Sequence, residues 1–147
     1  MGSQSLLSAI LGIIATYGVV AVVLYVLLVV AQWKIFTKAG EAGWKSLIPG
    51  LNMYIQFKIA WGSMYFWIWI LAIAVGAGLS SVDNSFCGTL GSLVTFASTV
   101  ILWISNIKLA QSFRKGIGFG IGLILIPNLF TLILGLDKSK YHGPVTK

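Results

Sequence analysis

The chain has 147 residues, of which 58% are hydrophobic and only 9% charged, and its net charge is +7. Soluble domains usually carry about 25% charged residues, so this composition excludes an ordinary water-soluble fold. The basic residues lie beside apolar segments rather than in an aromatic-interleaved patch. That position indicates lipid headgroups, and we expect no binding to nucleic acid.

Four long apolar segments follow one another along the chain. About 20 apolar residues in a helix span a hydrocarbon core of about 30 Å, so each segment is long enough to cross a bilayer. The predicted fold class is all-α: a polytopic transmembrane four-helix bundle with a cytoplasmic interfacial amphipathic helix between helices one and two. Residues 1–147 form a single integral membrane domain, with spans at 6–31, 64–80, 90–107 and 117–136.

The charges in the connections predict the orientation of the first helix. No basic residue precedes it, whereas four lysines and a single acid, Glu41, lie between the first and second spans. Short connections rich in lysine and arginine stay in the cytoplasm. We therefore expect a multi-pass protein with its N-terminus outside and its first and third connections inside.

The connection after the first helix contains the predicted interfacial helix, residues 44–61. Its apolar residues recur at helical spacing, and Lys45, Asn52 and Gln56 form a polar stripe. One interpretation is an amphipathic elbow pressed into the acyl boundary, and the other makes Asn52 and Gln56 face a pore or a ligand. The residues expected at lipid headgroups on this side are Trp33, Lys34, Lys38, Trp44, Lys45, Lys58, Trp61, Arg114 and Lys115.

Small residues dominate parts of the third and fourth predicted helices. Pairs of glycines four residues apart allow two helix backbones to approach closely in lipid. We expect packing between these helices, or between subunits, through Gly116, Gly118, Gly120, Gly122, Gly91, Thr95 and Thr99. The alternative is a hydrated polar path lined by Thr95, Ser98, Thr99, Asn106 and Asn128.

The fourth span is interrupted by Pro127 and Asn128. A full crossing, which we prefer, places the tail 137–147 outside the membrane, although three lysines in the tail oppose that position. The alternative is a re-entrant hairpin that turns back at Pro127–Asn128. An Ile-Pro step also occurs at Ile48-Pro49 after a similar basic, glycine-rich turn, so the two halves are either duplicated or alike by coincidence.

Catalytic and metal-binding patterns are missing from the sequence. His142 is the only histidine and Cys87 the only cysteine, so neither a two-histidine nor a two-cysteine metal site can form. Serine and lysine both occur, but no spacing specifies a Ser–Lys dyad. We expect no enzyme activity, no cofactor and no metal.

Several motifs together resemble a known family. They are the stretch from Lys34 to Tyr54, which includes Ile48-Pro49-Gly50-Leu51-Asn52 and runs on through Lys58-Ile-Ala-Trp-Gly, the segment Gln111-Ser-Phe-Arg-Lys-Gly-Ile-Gly-Phe-Gly-Ile-Gly, and Lys140-Tyr-His-Gly. The sequence resembles an uncharacterised family of small bacterial four-helix integral membrane proteins, in some members joined to a type I signal peptidase domain. The resemblance implies the bacterial cytoplasmic (inner) membrane and no particular activity.

Two functional hypotheses follow. The first is a non-enzymatic membrane module, a self-associating scaffold or accessory subunit whose partners are membrane lipids, further copies of the chain or other membrane proteins. The second is a homo-oligomeric channel or small passive transporter, because 147 residues leave little room for a pore within one copy. We prefer the module.

Overall fold

The computed structural model describes residues 2–146, and within that range every regular element is helical. The long helices are α1 (Ser3–Lys38), α3 (Ser63–Ser80) and α4 (Ser85–Ser112). The shorter elements are a 3₁₀ helix (Gly43–Leu47), α2 (Pro49–Ala60), α5 (Ile117–Leu125) and α6 (Pro127–Leu136). The predicted all-helical class is confirmed.

Three helices, α1, α3 and α4, are long and apolar enough to cross a membrane. Their 36, 18 and 28 residues correspond to lengths of about 54, 27 and 42 Å at 1.5 Å per residue. Most of their apolar side chains are exposed. In α1, every residue from 3 to 27 is exposed. These features are compatible with a membrane protein, because lipid covers apolar side chains that water would not tolerate in such number.

The segment 117–136 differs from the single helix expected there. It forms α5 and α6, of 9 and 10 residues, which separate at Ile126. Proline lacks an amide donor and disfavours helical geometry in the preceding residue, and Ile126 accordingly has φ −132° and ψ 69°. The two helices form a hairpin, since Lys115 Nζ, before α5, lies 2.5 Å from Asp137 Oδ2, after α6.

Helices α3 and α4 form an antiparallel pair with close backbone contact. The turn between them ends at Asn84, whose side chain accepts a hydrogen bond from the amide of Phe86 at 2.9 Å and caps α4. Along the pair, a methyl group on Gly76 would lie 2.5 Å from Thr95 Oγ1, and one on Gly91 would overlap Ser80. Gly91 and Thr95 therefore lie against α3, not against the glycine-rich segment as predicted.

The main hydrophobic core lies at one end of the long helices, and we call it the basal core. It joins the C-terminal ends of α1 and α4 to α2, α5 and α6. Its buried residues are Ile35, Phe36, Ile55, Ile59, Ala60, Leu109, Ala110, Phe113, Leu123 and Leu134.

Helix α2 replaces the expected interfacial helix 44–61. It begins at Pro49 after the separate 3₁₀ helix, and it contacts both α3 and α4. Four of its residues are buried, whereas Trp44, Leu47 and Ile48 before it remain about half exposed. The polar stripe turns inward, because Asn52 and Gln56 have amide partners on α1 and α4.

Candidate functional site at the base of the helices

Four amide side chains from three helices meet beside the basal core. Asn52 Nδ2 donates to Gln32 Oε1 at 2.5 Å, and Gln56 Nε2 donates to Asn106 Oδ1 at 3.4 Å. Asn52 and Gln56 are one helical turn apart and so share a face of α2. We call these four residues the amide cluster; it links α1 to α2 and α2 to α4.

The amide cluster borders a small cavity between α1, α2, α4 and α6. Its volume is about 20 Å³, enough for about one water molecule. Asn52 Oδ1 is buried and accepts no hydrogen bond from the described residues. An unpaired amide oxygen costs about 1–3 kcal/mol, so this atom needs a donor that the described residues do not supply. The lining residues are Gln32, Ile35, Phe36, Asn52, Gln56, Leu109 and Thr131.

A larger cleft also borders Gln32 and Asn52, where α1 meets the 3₁₀ helix and the start of α2. Its volume is about 210 Å³. The hydroxyl of Ser46, a residue only 3% exposed, lies 3.5 Å from the Val29 carbonyl oxygen. The lining residues, which carry no formal charge, are Tyr25, Leu28, Val29, Gln32, Ser46, Leu47, Pro49 and Asn52.

Glu41 joins the connection after α1 to the 3₁₀ helix and α2. Its carboxylate lies 2.7 Å from Lys45 Nζ and 2.5 Å from Lys58 Nζ. The hydrogen bond from Lys45, and then that from Lys58, lowers the pKa of Glu41 against an opposing effect of burial. The ion pairs therefore fix the turn that follows the first membrane-length helix.

Asp137 joins α1, α5 and α6 at the same end of the molecule. It lies 3.1 Å from Lys38 Nζ and 2.5 Å from Lys115 Nζ, and Lys38 also donates to the Leu134 and Asp137 carbonyls at 2.7 Å. Burial would raise the pKa of Asp137, but hydrogen bonds from Lys115, Ser139 and Lys38 together hold it well below its usual value. The two hydrogen bonds from Lys38 to the Leu134 and Asp137 carbonyls also satisfy groups that have no partner within α6, because they lie at its C-terminal end.

The residues expected at lipid headgroups fall into two groups. Lys38, Lys45 and Lys115 form the ion pairs described above. Trp33 lies against the backbone of Gly43, and the rings of Trp61 and Tyr65 stack with their centroids 3.8 Å apart. The exposed members are Trp33, Lys34, Trp44, Lys58 and Arg114, although Trp33 also contacts Gly43 and Lys58 is paired with Glu41. Headgroup contact stays a prediction for this second group.

The residues of the predicted polar path do not converge within the described chain. Thr95, Ser98 and Thr99 donate their hydroxyls to carbonyls of their own helix, α4. Asn128 is exposed at the tip of the α5–α6 hairpin, whereas Asn106 belongs to the amide cluster. The hydroxyls on α4 are thus satisfied without water or a ligand.

The four glycines of the 116–122 run have different surroundings. A methyl group on Gly120 would lie 2.7 Å from the Ile107 backbone of α4, and Gly122 faces Phe130 of α6. Gly116 and Gly118 have nothing within 4 Å of such a group. Gly120 thus packs between the predicted third and fourth segments, while Gly116 and Gly118 remain free for contacts outside this chain.

The sequence did not identify three residues near the basal core. Gln32 and Thr131 line the cavity, and Gly135 allows α6 to approach Ala31 of α1. Gln32 carried a signal, since it is the first amide after a long apolar run. Gly135 stands alone in its helix and belongs to no glycine pair.

The membrane-length helices are held together at one end by the basal core, the amide cluster and the ion pairs. This arrangement defines the class: an all-helical protein with the features of an integral membrane protein. The chain belongs to a family of unknown function, DUF5684, whose profile matches residues 44–144. The match runs from the 3₁₀ helix into the tail and does not include α1. No curated protein and no solved structure matches the chain.

Proposed function

We propose that the protein is a non-enzymatic module of the bacterial cytoplasmic membrane that contacts lipid and associates with further copies of itself or with other membrane proteins. The observation that supports it is the first part of α1, residues 3–27, which are all exposed. A helix satisfies its own backbone hydrogen bonds in lipid, so α1 is stable there and free to contact another transmembrane helix. The resemblance to small bacterial membrane proteins supports the location, and its signal-peptidase-linked members make membrane-bound enzymes one class of partner.

The proposed topology has three crossings and a re-entrant hairpin. Lys38, Lys115 and Asp137 meet, so the ends of α1, α4 and the hairpin share one side of the membrane. That side is the cytoplasm, since it also carries Lys138 and Lys140. In this arrangement the lysine-rich tail lies in the cytoplasm, where such segments usually stay, and the N-terminus remains outside.

Cysteine labelling of intact spheroplasts tests this topology. On a Cys87→Ser background, we expect Ser81→Cys in the α3–α4 turn to react with a membrane-impermeant maleimide. Lys140→Cys in the tail should react only after permeabilisation. Labelling of Lys140→Cys in intact spheroplasts would support a fourth crossing and exclude the re-entrant hairpin.

The mass of the particle in nanodiscs tests self-association. We expect two or more copies per particle, and Gly12→Leu on the exposed part of α1 should lower that number. Gly118→Leu is the matched comparison, because both glycines have nothing within 4 Å of an added methyl group. An effect of Gly118→Leu alone would assign the contact to α5, and a single copy per particle would exclude self-association.

A further inference from the structure

Another cleft, which we call the tail cleft, lies between the C-terminal end of α4 and the tail that follows α6. Its volume is about 370 Å³, more than ten times the share of liquid volume of one water molecule, which is about 30 Å³. It can therefore hold a polar group with part of the molecule that carries it. The lining residues are Gln111, Arg114, His142, Gly143, Pro144, Val145 and Thr146.

Two backbone hydrogen bonds hold the tail beside this cleft. The amide of His142 donates to the Ser112 carbonyl at 2.8 Å, and the amide of Val145 donates to the Ala60 carbonyl at 3.0 Å. Between these bonds the chain passes through Gly143, which has φ 104°. The tail wall of the cleft is therefore attached to the ends of two helices, and the cleft is part of the fold.

Arg114, on the opposite wall, stands where the backbone favours glycine. Among residues 2–146 it is the only residue other than glycine with a positive φ, which is 56°. At the corresponding position after α1 the chain has Gly40, with φ 77°. The left-handed region disfavours an L-residue, and strain of this kind is concentrated at functional sites. The backbone therefore gives no reason for the arginine, whereas a function of its side chain does.

The charges at this end of the molecule leave Arg114 available to an anion. Glu41 and Asp137 are each paired with two lysines. Within the described part of the chain, Arg114 is exposed, forms no ion pair and has no acidic residue beside it in the cleft. A guanidinium is a planar fork of N–H donors that matches two oxygens of a phosphate group.

From the tail cleft and its arginine we infer that the protein binds an anionic phosphate group there, with Arg114 making the charged contact and Gln111 and His142 donating to the remaining oxygens. The inference adds a ligand class to the lipid contact proposed above and rests on the proposed topology for its lipid source. In that topology the end of α4 lies at the cytoplasmic surface, within reach of anionic headgroups. A soluble phosphate compound is the other source of the same chemistry.

Lipid binding to the purified full chain tests the inference. Phosphatidylglycerol is titrated into phosphatidylcholine nanodiscs that hold the chain, and native mass spectrometry measures bound phosphatidylglycerol. The two lipids share the phosphate, but the choline ammonium cancels its charge. We expect Arg114→Gln to lower the affinity for phosphatidylglycerol about tenfold, because it removes a charge-assisted contact.

Two variants separate the site from general charge attraction and from folding. Lys34→Gln removes an equal charge from an exposed lysine outside the tail cleft, and it should change the affinity less than about twofold. Arg114→Gly removes the side chain and relaxes the backbone, so it should lose the affinity in a chain at least as stable as the native one. Native affinity in Arg114→Gly, or equal losses in Lys34→Gln and Arg114→Gln, would contradict a phosphatidylglycerol site in the cleft.

Inorganic phosphate distinguishes the two sources. The thermal midpoint of the chain in pure phosphatidylcholine nanodiscs is compared in sodium phosphate and in sodium chloride of equal ionic strength. A rise with phosphate that Arg114→Gln abolishes, without a phosphatidylglycerol preference, would assign the site to a soluble phosphate compound. If neither probe responds to Arg114→Gln, the inference is overturned. Resistance to carbonate extraction, measured in parallel, tests the membrane location separately.

Discussion

Gly135 determines how closely α1 and α6 approach each other. A methyl group at this position would lie 2.5 Å from the Ala31 carbonyl oxygen and 2.6 Å from its Cα, so both contacts are with backbone atoms. Backbone cannot rotate away as a side chain can, and the two helices would have to separate. The same separation would strain the ion pair between Lys38 and Asp137.

We expect Gly135→Ala to lower the free energy of unfolding by about 1–3 kcal/mol, because overpacking forces the helices apart. Thermal unfolding in detergent micelles measures the change. Gly118→Ala is the control: it has open space and gains up to about 1 kcal/mol of helix propensity. Equal effects of the two variants would show that the α1–α6 contact does not limit stability.

Arg114 has a backbone conformation that favours glycine. The amide of Lys115 donates to the Ala110 carbonyl at 2.9 Å, and the amide of Glu41 donates to the Phe36 carbonyl at the same distance. These bonds end α4 and α1 in the same Schellman motif, in which the residue before the donor takes positive φ. Gly40 has φ 77° there, but Arg114 has φ 56°.

We expect Arg114→Gly to raise the free energy of unfolding by about 1 kcal/mol, because it removes the cost of a left-handed L-residue. The reciprocal change, Gly40→Ala, should lower it by a similar amount, since no neighbouring atom lies within 4 Å and the effect is confined to the backbone. Denaturation curves of both variants against the native protein provide the measurement. A loss of stability in Arg114→Gly would show that the arginine side chain contributes more than its backbone costs.

At the scale of elements, the tail closes the ends of two helices. Tyr141 Oη donates to the Ile59 carbonyl at 2.8 Å, and the amides of His142 and Val145 donate to the Ser112 and Ala60 carbonyls. Carbonyls in the last turn of a helix have no partners within that helix. The tail supplies partners for the last turns of α2 and α4.

We expect Tyr141→Phe to lower the free energy of unfolding by about 1 kcal/mol, because it removes one of these hydrogen bonds while keeping the ring that packs on Phe113. Amide exchange at the C-terminal turn of α2 should accelerate. Tyr17→Phe, at an α1 residue that is 72% exposed, should change stability by less than about 0.5 kcal/mol. Unchanged exchange in Tyr141→Phe would indicate that the backbone bonds of the tail suffice.

The long apolar helices could be predicted from the sequence, but the ends of the shorter ones could not. Hydropathy summed over 117–136 gives the same value for one helix and for a hairpin. The difference depends on Pro127 and on the Lys115–Asp137 ion pair, which joins residues beyond both ends of the segment. The Ile-Pro step at Pro49 carried the same information, since it too begins a new helix.

The amide cluster shows a second limit of sequence reasoning. Helical periodicity correctly places Asn52 and Gln56 on one face of α2. It does not specify whether that face meets water or protein, and the answer depends on Gln32 and Asn106, which are 20 and 50 residues away. Their partners come from other helices, so only the tertiary structure identifies them.

At the scale of the whole molecule, acidic pH should lower the free energy of unfolding by protonating Glu41 and Asp137. The pKa values of Glu41 and Asp137 lie below their ordinary values of 4.5 and 3.8, so the unfolded chain binds protons first as the pH falls. Stability should be constant between about pH 8 and pH 5.5 and should fall below about pH 4. Thermal midpoints measured across this range in Glu41→Gln should fall less steeply than in the native protein. Identical slopes would mean that the Glu41 ion pairs contribute nothing to the acid response.

The exposed first part of α1 has a consequence for the order of assembly. At the other end of α1, Lys38 contacts Leu134 and Asp137, which lie 96 and 99 residues further along the chain. At about 5–20 residues synthesised per second, roughly 5–20 s separate the emergence of the two partners from the ribosome. During that time α1 can contact the 3₁₀ helix and α2 but not α6, and the contacts around Asp137 form only when residues 134–145 have been made. In the proposed topology, the first helix therefore enters the membrane before the contacts that fix its end to α6 can form.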